Sequence, residues 1–250
     1  MKIIIKNIAI EYSDEGEGPV ILFLHGWKDN LHSFDSLVPI LSQQCKIIRI
    51  DLPGFGNSEL PQTTWNLDNY VQFVKDFIDK LNIQVDALIG HSFGGRIAIK
   101  AVALNIIKPK KLILIASAGI AKTRTIRNCF FYIFAKAGKM ITLFPPFIFW
   151  RKQLRKKLYN IAKSDYFLSG KLKNTFLNVI KEDLTSFANK IIIPTLLIWG
   201  DQDKTIPLEE GRSLSKLICN SKLEIIINTE HFVHQENPQK VAEIIQKFIL

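Results

Sequence analysis

Cysteine is scarce and scattered: Cys45, Cys129 and Cys219 are the only three in 250 residues, and none belongs to a CxxC pair. A disulfide framework and a cysteine-rich zinc site are therefore excluded as organising devices, and free thiols in a reducing compartment are expected. Long apolar runs are missing as well. Ile3-Ile4-Ile5 is broken by Lys6 and Asn7 before it reaches the length of a signal-peptide core. Residues 129–150, though aromatic, contain Lys136, Lys139 and the Pro145-Pro146 break, which makes them a poor membrane span. A cytoplasmic location is expected. There is no internal repeat and no low-complexity linker. With 47% hydrophobic and 22% charged residues, the chain reads as globular, neither disordered nor fibrous.

Acidic residues are nearly absent from one stretch. Residues 122–181 hold fourteen Lys or Arg against a single acid, Asp165, so this stretch carries +13 of a total of +10 and leaves −3 for the rest. The basic character belongs to a segment and not to the molecule. Elsewhere, short continuous apolar runs recur, as in strands buried on both faces of a parallel sheet: residues 20–24, 46–50, 85–89, 111–115, 195–199 and 223–227. Two shorter strands within residues 2–12 precede them as an antiparallel edge. Between the runs lie helical patterns, with Phe34, Leu37, Val38 and Leu41 on one face and Tyr70, Phe73, Val74, Phe77, Ile78 and Leu81 on another. Residues 97–104 and 241–248 read the same way. This alternation predicts an α/β fold with a mostly parallel sheet and helices on both faces. It stops at Ile115 and resumes at Ile191, so residues 119–189 are expected to be a helical insertion between core segments 1–118 and 190–250.

The run 85–89 leads into Gly90-His91-Ser92-Phe93-Gly94-Gly95, followed by a helical pattern. A G-x-S-x-G between strand and helix holds a serine on a tight turn, leaving no room for side chains two positions away. The turn projects the hydroxyl, and the helix N-terminus faces developing negative charge. A serine that merely caps the helix is the plainer reading. A phosphate loop fits less well, because no Lys-Ser/Thr pair follows the glycines.

A serine hydroxyl needs a base. Among five histidines, His231 and His234 lie just beyond the run 223–227, at the carboxyl end of a strand, where parallel sheets gather chemistry. Asp201 and Asp203 follow the run 195–199 in the same way. Either aspartate could be a solvated loop residue, Asp201 beside Gly200 most readily.

Together these segments resemble the α/β-hydrolase superfamily, and within it the small, capped, cofactor-independent serine hydrolases. The resemblance rests on His25-Gly26-Trp27, Asp51-Leu52-Pro53-Gly54-Phe55-Gly56-Asn57-Ser58, the Gly90 to Gly95 motif, Gly200-x-x-Asp203 and His231-x4-Glu236-x-Pro238. It covers nearly the whole chain outside the insertion. It implies a triad of nucleophile Ser92, base His231 and acid Asp203, in the chain order typical of that fold. It also implies an oxyanion hole from the backbone N–H groups of Trp27 and Phe93. His25, His91 and the 51–58 loop are expected to be structural. Serine at the elbow disfavours the epoxide hydrolases and haloalkane dehalogenases, which carry aspartate there. Ala116-Ser117-Ala118 offers no acid at the alternative position. Glu230 stands where the family usually has glycine, so a carboxylate adjoins the base.

The expected function is hydrolysis of a carboxylic ester with an apolar acyl group through an acyl-enzyme. The alternatives are a C–C bond hydrolase or thioesterase with the same triad, and a non-catalytic binding protein of the same fold. No cofactor and no metal is implied. The insertion is expected to cap the site. Its residues Phe130, Phe131, Tyr132, Phe134, Phe144, Phe147, Phe149 and Trp150 either pack on the core or line an acyl pocket. Its lysines and arginines either face water or meet an anionic membrane surface. The expected partner is a small ester-like molecule, with peripheral membrane contact possible and no nucleic acid, since no recognition motif accompanies the charge.

Overall fold

The structure is a computed structural model that describes residues 1–120 and 170–249. The aromatic and most of the basic part of the insertion therefore lies outside the described residues. Eight strands form one sheet: β1 (Lys2–Ile5), β2 (Ile8–Glu15), β3 (Val20–Leu24), β4 (Lys46–Ile50), β5 (Ala87–His91), β6 (Lys111–Ile115), β7 (Thr195–Gly200) and β8 (Ser221–Ile226). Their spatial order is β1-β2-β4-β3-β5-β6-β7-β8. β1 pairs with β2, and β2 with β4, antiparallel; every other pair is parallel.

Because β3 to β8 run the same way, their carboxyl ends share one edge. The register aligns Leu24 with Gly90, His91 with Ile115, Ile115 with Ile198 and Gly200 with Ile226. Everything the sequence offers for chemistry follows directly from one of these ends.

Alternate residues of each central strand feed two cores. Leu22, Leu24, Leu88, Leu112, Leu114, Leu197 and Trp199 pack against helices α2 (Leu67–Leu81) and α3 (Phe93–Ala103). Ile21, Phe23, Ile89, Ile113, Ile115 and Ile198 pack on the other face against α1 (Val38–Leu41) and α8 (Pro238–Ile249). Burying both faces explains why these strands read as unbroken apolar runs. α2 starts at a capping box between Asn66 and Asn69 and stops at Asn82 in the left-handed region, φ 50°.

Two expectations need adjustment. The elbow strand extends to His91, two residues beyond the apolar run, because Gly90 and His91 still pair with Leu114 and Ile115. The pattern from Phe34 to Leu41 is not one helix: a 3-10 turn, Leu31–Phe34, capped by Asn30, precedes α1, whose start is set by Pro39.

Of the insertion, the described part is its return. A 3-10 turn, Gly170–Leu172, leads into α4 (Lys173–Lys181) and then α5 (Thr185–Ala188). α6 (Leu208–Leu217) and α7 (Val233–Glu236) complete the helices among the described residues. None of the helices among the described residues is long and apolar enough to cross a membrane.

Candidate active site

Ser92 sits between β5 and α3 at φ 50°, ψ −106°, a conformation a non-glycine residue adopts only under constraint. The constraint is close packing. A Cβ on Gly90 would lie 2.6 Å from the backbone of Gly94 and Gly95, and one on Gly94 would collide with the Leu24 carbonyl. The backbone ties the turn in place: Ser92 N–H donates to Ile115 O at 3.0 Å and Gly94 N–H to His25 O at 3.0 Å.

His231 Nδ1 and Asp203 Oδ2 are 2.8 Å apart. The Asp203 side chain is fully buried and that of His231 is 12% exposed. The other oxygen of Asp203 accepts Thr205 N–H and Ile206 N–H, both at 2.8 Å. The carboxylate thus accepts three hydrogen bonds in a fixed loop. Asp201 is exposed and, among the described residues, accepts Thr229 N–H at 3.3 Å, so of the two aspartates it is Asp203 that meets the imidazole.

His231 stands in a loop held by Glu236, whose carboxylate accepts the N–H groups on either side of it, from Glu230 at 2.7 Å and Phe232 at 3.2 Å. The neighbouring Glu230 points to solvent, 60% exposed and 3.5 Å from Lys204. Among the described residues no hydrogen bond joins Ser92 to His231.

The remaining buried histidines have other work. His25 Nε2 accepts Leu52 N–H at 2.9 Å and Nδ1 donates to Gly26 O at 2.7 Å, which ties together the loops after β3 and β4; burial lowers its pKa. His234 Nε2 lies 3.1 Å from Ser33 Oγ, and burial pushes its pKa down to about 3. His234 therefore faces Ser33 and is neutral, while His231 has the acid. His91 is buried too, with a pKa far below the ordinary value, from burial first and then from His234 and His231. Asp51 accepts Leu31 N–H at 2.6 Å and Asn57 N–H at 2.7 Å, the loop-shaping role expected of its segment.

Trp27 and Phe93 lie on the two segments that meet at the elbow. A Cβ on Gly26 would be 3.6 Å from that of Ser92, and the rings of Trp27 and Phe93 are 5.1 Å apart. Phe93 is the first residue of α3, so its N–H is among those the helix cannot pair internally. Phe55 and, from α4, Phe176 pack on Trp27 at 4.9 and 5.1 Å. Beside them opens a cleft of about 280 Å³, bordered by Trp27, Asn30, Gly54, Phe55 and Leu172.

Two basic side chains that the sequence reading did not single out fix α4. Arg96 and Lys100, one turn apart on α3 and both buried, reach it from below. Arg96 donates to Val179 O at 2.7 Å and to Glu182 O; Lys100 contacts Glu182 at 2.5 Å and Asp68 at 2.6 Å. Burial acts to lower the Lys100 pKa, and its two carboxylates outweigh this and raise it. A basic pair spaced i, i+4 on an otherwise apolar helix was the available signal. Among the described residues no group of three His, Cys, Asp or Glu side chains is placed to hold a metal ion.

The family model described as "Alpha/beta hydrolase family" matches residues 21–244. The chain belongs to the alpha/beta hydrolase family. As a member of that family it is an enzyme of hydrolase type, with the family's sheet and a helical cap insertion. It is 26% identical to the "Uncharacterized hydrolase YugF" of Bacillus subtilis over 97% of this chain and 94% of that one. It is 23% identical to the "2-hydroxy-6-oxo-6-(2'-aminophenyl)hexa-2,4-dienoic acid hydrolase" of Metapseudomonas resinovorans, over 97% and 88%. Among solved structures, a membrane phospholipase A superposes with a TM-score of 0.77 at 23% identity, covering 100% of this chain and 84% of that one. Other structures of this family fold include a putative lipase, a meta-cleavage product hydrolase and an esterase.

Proposed function

We propose that this enzyme is a serine hydrolase in which Ser92 attacks a carbonyl carbon. His231 takes the serine proton as the C–O bond forms and returns it to the leaving group, and water then releases the acyl group by the same route. Asp203 holds the imidazole and stabilises its charged form. The amides of Phe93 and Trp27 receive the oxyanion, a contribution of about 3–4 kcal/mol per donor. The observation that carries this reading is the 2.8 Å pair of His231 and Asp203, which occupies Nδ1 and leaves Nε2 as the nitrogen able to accept a proton. The division into a core of residues 1–118 and 190–250 and a cap of 119–189 belongs to the same proposal.

For the bond broken, the dienoic acid in the name of the Metapseudomonas relative has a ketone at carbon 6 and no ester, so its hydrolysis breaks a carbon–carbon bond. That relative matches this chain almost end to end. This supports carbon–carbon bond hydrolysis, the reading placed second from sequence alone, above ester hydrolysis. The likeness to phospholipase and lipase structures keeps the ester reading as its rival. A panel of vinylogous diketone, ester and thioester substrates on the purified protein separates them. The proposed order is diketone first; a higher kcat/KM on esters reverses it.

The +13 of residues 122–181 and the likeness to a membrane phospholipase support peripheral contact with an anionic membrane surface by a cytoplasmic protein. Binding to anionic vesicles that weakens with salt is the expected result, and binding indifferent to salt and lipid charge contradicts it.

A further inference from the structure

Ser92 and His231 belong to segments 139 residues apart and make no hydrogen bond with each other among the described residues. What joins their segments is the residue before the serine. His91 is the last residue of β5, its ring is 1% exposed, and its Nε2 lies 3.1 Å from the backbone carbonyl oxygen of His231. A carbonyl can only accept, so the ring carries its proton on Nε2 and donates it there. The ring also lies against the ring of His231, tilted at 47° with centroids 4.8 Å apart, and meets that of His234 edge-on at 4.6 Å; His234 is in turn braced by Ser33 and Phe34.

With the proton on Nε2, Nδ1 is a bare acceptor, buried against Gly26 and without a hydrogen-bond partner among the described residues. An unpaired buried acceptor is destabilising. A phenyl ring would fill the same space without that penalty, so packing alone does not account for an imidazole. The Nε2–H bond does.

We infer that His91 is a positioning residue: by holding the backbone of His231 against the strand that presents Ser92, it sets the distance between nucleophile and base. The inference rests on the triad proposed above. His91 acts through the backbone of His231, at the Nε2–H bond to its carbonyl oxygen. Its task is to keep the His231 ring within reach of the hydroxyl, and misplacement of a reacting group by about 1 Å can slow a reaction about 100-fold.

The test compares the rate at which a fluorophosphonate probe labels the full-length wild type, Ser92→Ala, His91→Phe, His91→Gln and His91→Asn, with melting temperatures measured alongside. The amide nitrogen of Gln reaches about as far as Nε2, whereas that of Asn stops near Nδ1. His91→Gln should label within about 3-fold of wild type, and His91→Phe and His91→Asn at least about 10-fold more slowly, with no matching order in melting temperature. If His91→Phe does not fold, the Gln and Asn pair carries the comparison. Wild type that labels at Ser92, with all His91 variants equally fast or ranked by stability alone, overturns this inference and leaves the triad standing. Wild type that does not label at Ser92 overturns the triad and the inference with it.

Discussion

Asp203 meets His231 at 2.8 Å with its carboxylate fully buried and its second oxygen already taken by two backbone N–H groups. An acceptor so held fixes both the orientation of the imidazole and the nitrogen that bears its proton. Asp203→Asn would keep the shape of the loop but can present an N–H to Nδ1, favouring the wrong tautomer. The expected loss in kcat is about 10⁴-fold with KM little changed. Steady-state kinetics with circular dichroism as a fold control checks this; a loss under about 10-fold contradicts the role.

Stability should fall on mild acidification. His25, His91 and His234 all have folded-state pKa values below the ordinary 6.5, chiefly because burial disfavours the charged ring. Below about pH 6.5 the unfolded chain binds protons at these positions that the folded chain refuses. Their contribution is complete above that pH and is lost as the pH drops toward the folded values. The slope is at most about 1.4 kcal/mol per pH unit for each histidine. Urea unfolding at pH 7, 6 and 5 should show it, and His234→Phe should make the slope shallower. A stability constant over that range contradicts the burial argument.

Arg96 donates to the last carbonyls of α4 from a buried position on the helix that begins at Ser92. Arg96→Met leaves those carbonyls without their donor, at a cost of about 1–3 kcal/mol. The effect should be local, since bonds that do not involve Arg96 still tie α4 and its flank to the core, among them Trp65 N–H to Thr175, Asn178 to Trp65 O and Lys100 to Glu182. Hydrogen exchange should quicken in residues 173–182 while β3 to β7 keep their protection. Unchanged exchange in α4 would show that it is held by other contacts.

The core strands were legible because burial on both faces leaves a signal that survives without context, and β3, β4 and β6 begin and end with their apolar runs. The elbow was legible because its glycines answer a steric demand of the backbone. α6 was not found: it is a surface helix with only Gly211 and Leu214 buried. Its glycine, which argues against a helix in sequence, is there because a Cβ would press on the Trp199 ring at 2.8 Å. The choice between His231 and His234 needed either the resemblance or the fold, since three residues separate them in sequence and only the loop geometry turns one to Asp203 and the other to Ser33. The work of His91 and Arg96 depends on partners 80 or more residues away, and that of Lys100 on Glu182 and Asp68, so the basic pair on α3 showed in the sequence but its partners did not.

If the Ser92 oxygen is made nucleophilic by its surroundings, it should react with an electrophile that ordinary serines leave untouched. The most direct measurement is intact-protein mass spectrometry after exposure to a fluorophosphonate, followed by peptide mapping. A single adduct on Ser92, absent in Ser92→Ala and strongly slowed in His231→Ala, is the predicted result. An unreacted wild type, or an adduct on a different serine, would contradict it.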